Sequence, residues 1–149
     1  VGFCENTPVI RFVGKYGRFL NSVGEKCSEA QISQAMRETC LRTGADLVGF
    51  TVRIYWKEQP SFEVAFEGEI TEFFLEVLEE ELCRVNIEYA SKRESGRLAP
   101  PILHPLQKGS YARYRQRKIS MGAPAGQIKD PVLALTEEEW TEVVYGLGD

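Results

Sequence analysis

A chain of 149 residues and 16.9 kDa, 43% apolar and 27% charged, has the balance of one globular domain rather than two. Its 2 Trp, 6 Tyr and 8 Phe can fill an independent core, and no apolar run approaches the roughly 20 residues of a membrane-spanning helix, so a disordered chain and a membrane protein are excluded. The formal net charge of −4 disfavours a nucleic-acid binder that works by bulk charge.

In chain order, Val9 to Val13 and Arg18 to Val23 read as two strands around Lys15-Tyr16-Gly17, where Gly14 and Gly17 allow a tight or hinged turn. Ser28-Glu29-Ala30-Gln31 is a capping-box pattern that predicts a helix start, with Ile32, Ala35, Met36 and Cys40 on one face and Gly44 as its stop. Val48, Phe50, Val52, Ile54 and Trp56 alternate with period two, and Phe62, Val64 and Phe66 do the same after a turn at Pro60, which predicts a long hairpin. Phe74, Leu78, Leu82, Val85 and Tyr89 then mark one amphipathic helix from about Thr71 to Arg93. Pro100 to Leu106 reads as a short edge strand interrupted by proline. Ser110 is placed to cap a basic helix running to about Met121, and Gly122 to Gly126 forms a loop. Thr136 and the three glutamates after it start a final helix through Trp140 to Tyr145. These elements predict an α+β fold: a single two-layer domain with a mixed sheet of about four to five strands covered by helices 28–43 and 71–93.

Cys4, Cys27, Cys40 and Cys83 lack the close spacing of a zinc site or a dithiol motif, and no metal-ligating cluster is expected; free thiols in a reducing compartment, the cytoplasm, are the expectation. Residues 58–83 carry nine acids and no base, whereas residues 84–118 carry nine bases and two acids, so the domain is dipolar in sequence. Tyr111, Arg113, Tyr114, Arg115, Arg117 and Lys118 interleave aromatics with cations, the pattern of a single-strand nucleic-acid module. In a helix, however, Tyr111, Tyr114 and Lys118 share one face and Arg113 and Arg117 another, so the tyrosines can equally dock the helix on the sheet. No phosphate loop, dinucleotide fingerprint, zinc-binding histidine pair or nucleophile elbow is present.

The run RFVGKYGRFLNSVGEKCSEAQISQAM resembles the segment joining the two domains of adenylate-forming enzymes. EYASKRESGRLAPP, KGSYARY and SMGAPAGQIKDP resemble, in that order, the C-terminal domain of the Gretchen Hagen family of auxin-responsive promoter proteins and acyl-acid amido synthetases, over Val1 to about Leu133. The resemblance implies the mobile C-terminal lid of a two-domain ligase spanning 1–149, with residues 1–24 as a hinge-proximal hairpin. The family's large ATP-binding domain lies upstream of the position where Val1 begins, and a chain opening on Val1 rather than Met suggests a fragment.

Such enzymes use ATP and Mg2+ to adenylate a small-molecule carboxylic acid and then pass the acyl group to an amino acid. The partners implied are the chain's own N-terminal adenylation domain and those two substrates, with no membrane and no nucleic acid. By the same resemblance Lys129 occupies the lysine of the family's Gln-Tyr-Lys-x-Pro-Arg segment, as a catalytic residue, while Ile128 and Val132 replace the tyrosine and the arginine. An ammonium on a closing loop suits a reaction that gathers negative charge at a phosphate. Lys15, Tyr16 and Gly17 are hinge candidates, since domain rotation needs a few residues that absorb large backbone changes. Glu25, Lys26 and Gln127 are candidates for the interdomain cleft, although the turn at Glu25 and Lys26 can also simply present a charge pair to solvent. A non-catalytic interaction or regulatory domain of the same fold is the alternative function.

Overall fold

The computed structural model describes residues 18–146 and the backbone of a small ribbon formed by β1 (Phe3–Cys4) and β2 (Thr7–Pro8). The strand expected over Val9 to Val13 and the hinge candidates Lys15, Tyr16 and Gly17 lie outside the described residues.

The first element with described side chains is a two-residue strand, β3 (Phe19–Leu20). It pairs antiparallel with β4 (Cys27–Ser28) across the turn 21–26. Ser28 then caps α1 (Glu29–Thr43): its hydroxyl accepts the Gln31 amide while the Gln31 side chain accepts the Ser28 amide. Gly44 closes the helix in the left-handed conformation, its N–H reaching Cys40 O.

β5 (Asp46–Trp56) and β6 (Pro60–Glu69) form the expected long antiparallel hairpin, and Val52 faces Val64 and Ile54 faces Phe62. A register shift between Leu47 and Gly49 bends β5, and Tyr111 fills the space that a side chain at position 49 would occupy. The expected helix over 71–93 is instead two, α2 (Phe74–Val85) and α3 (Ile87–Glu94). Asn86 sits between them in extended conformation. Its side-chain oxygen accepts the Tyr89 amide, and its amide nitrogen donates to Lys26 O and Gln31 Oε1. Those bonds to the 21–26 turn and to α1 outweigh the continuity of one helix.

β7 (Ile102–Pro105) is the edge strand that its prolines predict, parallel to β6. The sheet, ordered β5-β6-β7, is therefore mixed but has three strands rather than four or five, with a single parallel bridge from Val52 to Leu133 on its other side. α4 (Ser110–Ser120) follows, with Gly109 rather than Ser110 at its cap position. A one-turn 3-10 helix (Ala125–Gln127) and α5 (Glu137–Val144) complete the chain, and Thr136 caps α5 as expected.

Strand pleating sorts the sheet into two faces. Val52, Phe62 and Val64 face α1, α2 and α3 and pack with Ile32, Met36, Leu78 and Tyr89 in the main core. The opposite face carries Thr51, Arg53, Glu63, Ala65, Glu67 and His104, and it is covered by Tyr111 of α4 and Trp140 of α5. β6 is consequently buried on both sides along most of its length. The domain is α+β, but helices 28–43 and 71–93 cover one face of the sheet only. No helix among the described residues is long and apolar enough to cross a membrane.

Candidate functional site

Lys129 stands exposed on the loop between α4 and α5, and no ion pair reaches it among the described residues. Its neighbours are held firmly. Arg115 Nη1 donates to both carboxylate oxygens of Asp130, at 2.8 and 2.6 Å, and Thr51 Oγ1 donates to Pro131 O at 2.6 Å. The Val52 amide then donates to Val132 O, and the Ala134 amide donates back to Val52 O. The loop thus leaves α4 with exposed Pro124 and Gly126, displays Gln127 and Lys129, and is locked onto β5 within three residues. This anchoring depends on Thr51 and Arg115, which the sequence reading did not single out for it. The spacing between Arg115 and Asp130 offers no local signal, because the two meet only through the fold.

Glu25 departs from the picture of a charge pair turned to solvent. It is 1% exposed, and its carboxylate accepts the Ser22 amide at 2.7 Å, the Ser22 hydroxyl at 2.7 Å and the Val23 amide at 2.8 Å. A buried anion with three donors is a turn anchor. Lys26 remains exposed, with φ of 37°, held in that rare conformation while its carbonyl accepts from Asn86. Cys27, directly after it, is fully buried; burial and then the charge of Glu25 push its thiol up to about 12. No hydrogen bond among the described residues joins Lys129 to Glu25, Lys26 or Gln127.

The β3 ribbon and the segment after Lys129 do share a cleft of about 440 Å³, walled by Phe19, Asn21, Trp56, Leu135 and Thr136. Phe19, Trp56 and Leu135 are exposed there, Trp56 by 60%, and Arg18 pairs with Glu139 alongside. This apolar face was not foreseen, since the alternation of β5 predicts Trp56 in the core, whereas the strand has run past its covering helices by that point. The tyrosines of α4 resolve the other ambiguity. Tyr111 is buried against the sheet and Tyr114 in a cluster with Val143 of α5, so both are unavailable for base stacking.

Residues 30–138 match the sequence pattern of the GH3 family C-terminal domain. The chain belongs to the GH3 family. No curated protein matches this GH3 domain in sequence. Among solved structures it is similar to GH3.15 acyl acid amido synthetase, at 15% identity and a TM-score of 0.66 over 87% of this chain and 24% of that one. It is also similar to AtGH3.15 acyl acid amido synthetase in complex with 2,4-DB, at 18% identity and a TM-score of 0.67 over 97% of this chain and 28% of that one. At these identities the likeness is one of fold. The GH3 domain spans about a quarter of the length of these two relatives.

Proposed function

We infer that this GH3 domain is the mobile C-terminal lid of an ATP-dependent acyl-acid amido synthetase, closing over an N-terminal adenylation domain that binds the nucleotide, a small carboxylic acid and an amino acid. The observation that carries the reading is Lys129: an exposed ammonium on a loop whose following residues are tied to β5, so that it moves with the domain. Such a lysine can neutralise charge that gathers on the α-phosphate when a carboxylate attacks it, without reorganising at that moment. The cleft beside the β3 ribbon supports the reading, because the exposed Phe19 and Trp56 on its walls suit packing against another domain. Lys26 and Gln127 remain cleft candidates; Glu25 acts on the cleft only by holding the turn beneath Lys26. ATP and Mg2+ belong to the proposed partner domain. Among the described residues no group of three or more His, Cys, Asp or Glu can hold a metal ion.

ATP–pyrophosphate exchange by the full-length protein, across aromatic and aliphatic acids, tests the reading. Acid-dependent exchange is expected to fall about 100-fold in Lys129→Ala, the scale of losing one preorganised charge contact. The hinge proposed at Lys15, Tyr16 and Gly17 predicts that Gly17→Pro changes exchange and acyl transfer unequally; unchanged rates for both argue against it.

A second reading rests on Val132. Its side chain packs against the main core, so a position where the family's segment carries an arginine is spent on packing. A non-catalytic interaction domain of the same fold accounts for that, and absence of exchange with every acid would favour it.

A further inference from the structure

A second cavity, of about 570 Å³, opens between β7, α4 and α5, apart from the Lys129 loop. Its polar wall consists of His104, Gln107, Ser110, Arg113 and Arg117, and Tyr145 closes one side. No acidic residue among the described residues lines it, although the chain as a whole carries a net charge of −4.

Arg113 and Arg117 are one helical turn apart on α4, an arrangement of like charges that costs stability unless something compensates. Elsewhere the chain supplies the compensation: Arg42, Arg53, Arg84, Arg93 and Arg115 each reach a carboxylate. For Arg113 and Arg117 the described residues supply neutral acceptors only. Arg113 donates to Lys108 O and Ser110 Oγ, both at 3.2 Å, and Arg117 donates to Glu142 O. These contacts fix the two forks while leaving most of their N–H donors and both charges unanswered among the described residues. Gly146, at φ of 66°, carries no Cβ where the Arg117 guanidinium passes. His104 Nδ1 lies 3.3 Å from Glu63 Oε1, with Nε2 as the ring's second polar atom.

We propose that this cavity is an anion site for a small molecule carrying phosphate groups. Two fixed guanidinium forks suit phosphate oxygens, which they can grip in pairs, and the volume falls in the usual range for small ligands.

Isothermal titration calorimetry of the full chain with inorganic pyrophosphate, with citrate for comparison, tests the proposal. Pyrophosphate is expected to bind, more tightly than citrate. Arg113→Gln and Arg117→Gln are each expected to weaken it about 10-fold or more, as for loss of a charged hydrogen bond, with Arg37→Gln on the exposed face of α1 unchanged. Arg113 is exposed, so its variant keeps the test independent of folding. Absence of binding, equal affinity for citrate, or loss in Lys129→Ala with the Arg113 and Arg117 variants intact would each overturn the assignment.

Discussion

Glu25 shows how much a single side chain decides near the cleft. Its two oxygens accept three hydrogen bonds inside a six-residue turn, so removing one acceptor leaves a buried donor unmet. Glu25→Gln replaces one oxygen with an amide nitrogen that faces donors rather than acceptors. It is expected to destabilise the domain by about 1–3 kcal/mol in thermal or chemical denaturation; a change within error would show that the turn tolerates rearrangement. Val23-Gly24-Glu25-Lys26 reads in sequence as two adjacent charges in a turn. Which of them points inward is settled by the amides of Ser22 and Val23, and no spacing rule encodes that.

At the level of elements, what was legible followed from local chemistry. The Ser28–Gln31 box, the Gly44 stop, the β5–β6 hairpin and the Thr136 cap each depend on residues within a few positions of one another. What was not legible depends on partners far along the chain. The 71–93 helix breaks at Asn86 because that side chain bonds to Lys26 and Gln31, some 55 to 60 residues earlier. α4 has no side-chain cap of its own; the Tyr111 amide is met by Glu67 Oε1 of β6 at 2.9 Å, an anion at a helix start. The polar face of the sheet was likewise invisible until α4 and α5 folded over it. Asn86→Ala removes both the cap of α3 and the link to α1. Its expected cost is about 1–2 kcal/mol, the upper range for a cap, measured by chemical denaturation. A value near zero would mean that α2 and α3 can merge.

At the scale of the whole molecule, carboxylates clamp elements that are distant in sequence. Glu81 of α2 accepts from Arg42 of α1 and from Arg84. Burial alone would raise its pKa, but the hydrogen bonds from Arg84 and Arg42 outweigh it and hold the carboxyl below its ordinary 4.5. Glu139 is lowered in the same way: burial is outweighed by the Leu135 amide and by Arg18, which ties the β3 ribbon to α5. A depressed carboxyl pKa contributes stability that is complete above the unfolded value, 4.5, and is lost as pH falls through the lower folded value. Thermal midpoints should therefore hold level down to about pH 4.5 and drop beneath it, and Glu81→Gln should shallow that drop. An identical acid profile in the variant would remove Glu81 from the account.

The placement of the two tryptophans has an optical consequence. Trp140 is wholly enclosed beneath the Arg53 guanidinium, 4.2 Å from the ring centre, whereas Trp56 stands 60% exposed on the wall of the cleft beside β3. Intrinsic fluorescence accordingly divides into two populations. One is shielded from aqueous quenchers for as long as the core holds; the other is open to them until something settles over the cleft. The domain carries its own pair of lamps, one reporting integrity and the other occupancy, with no label required.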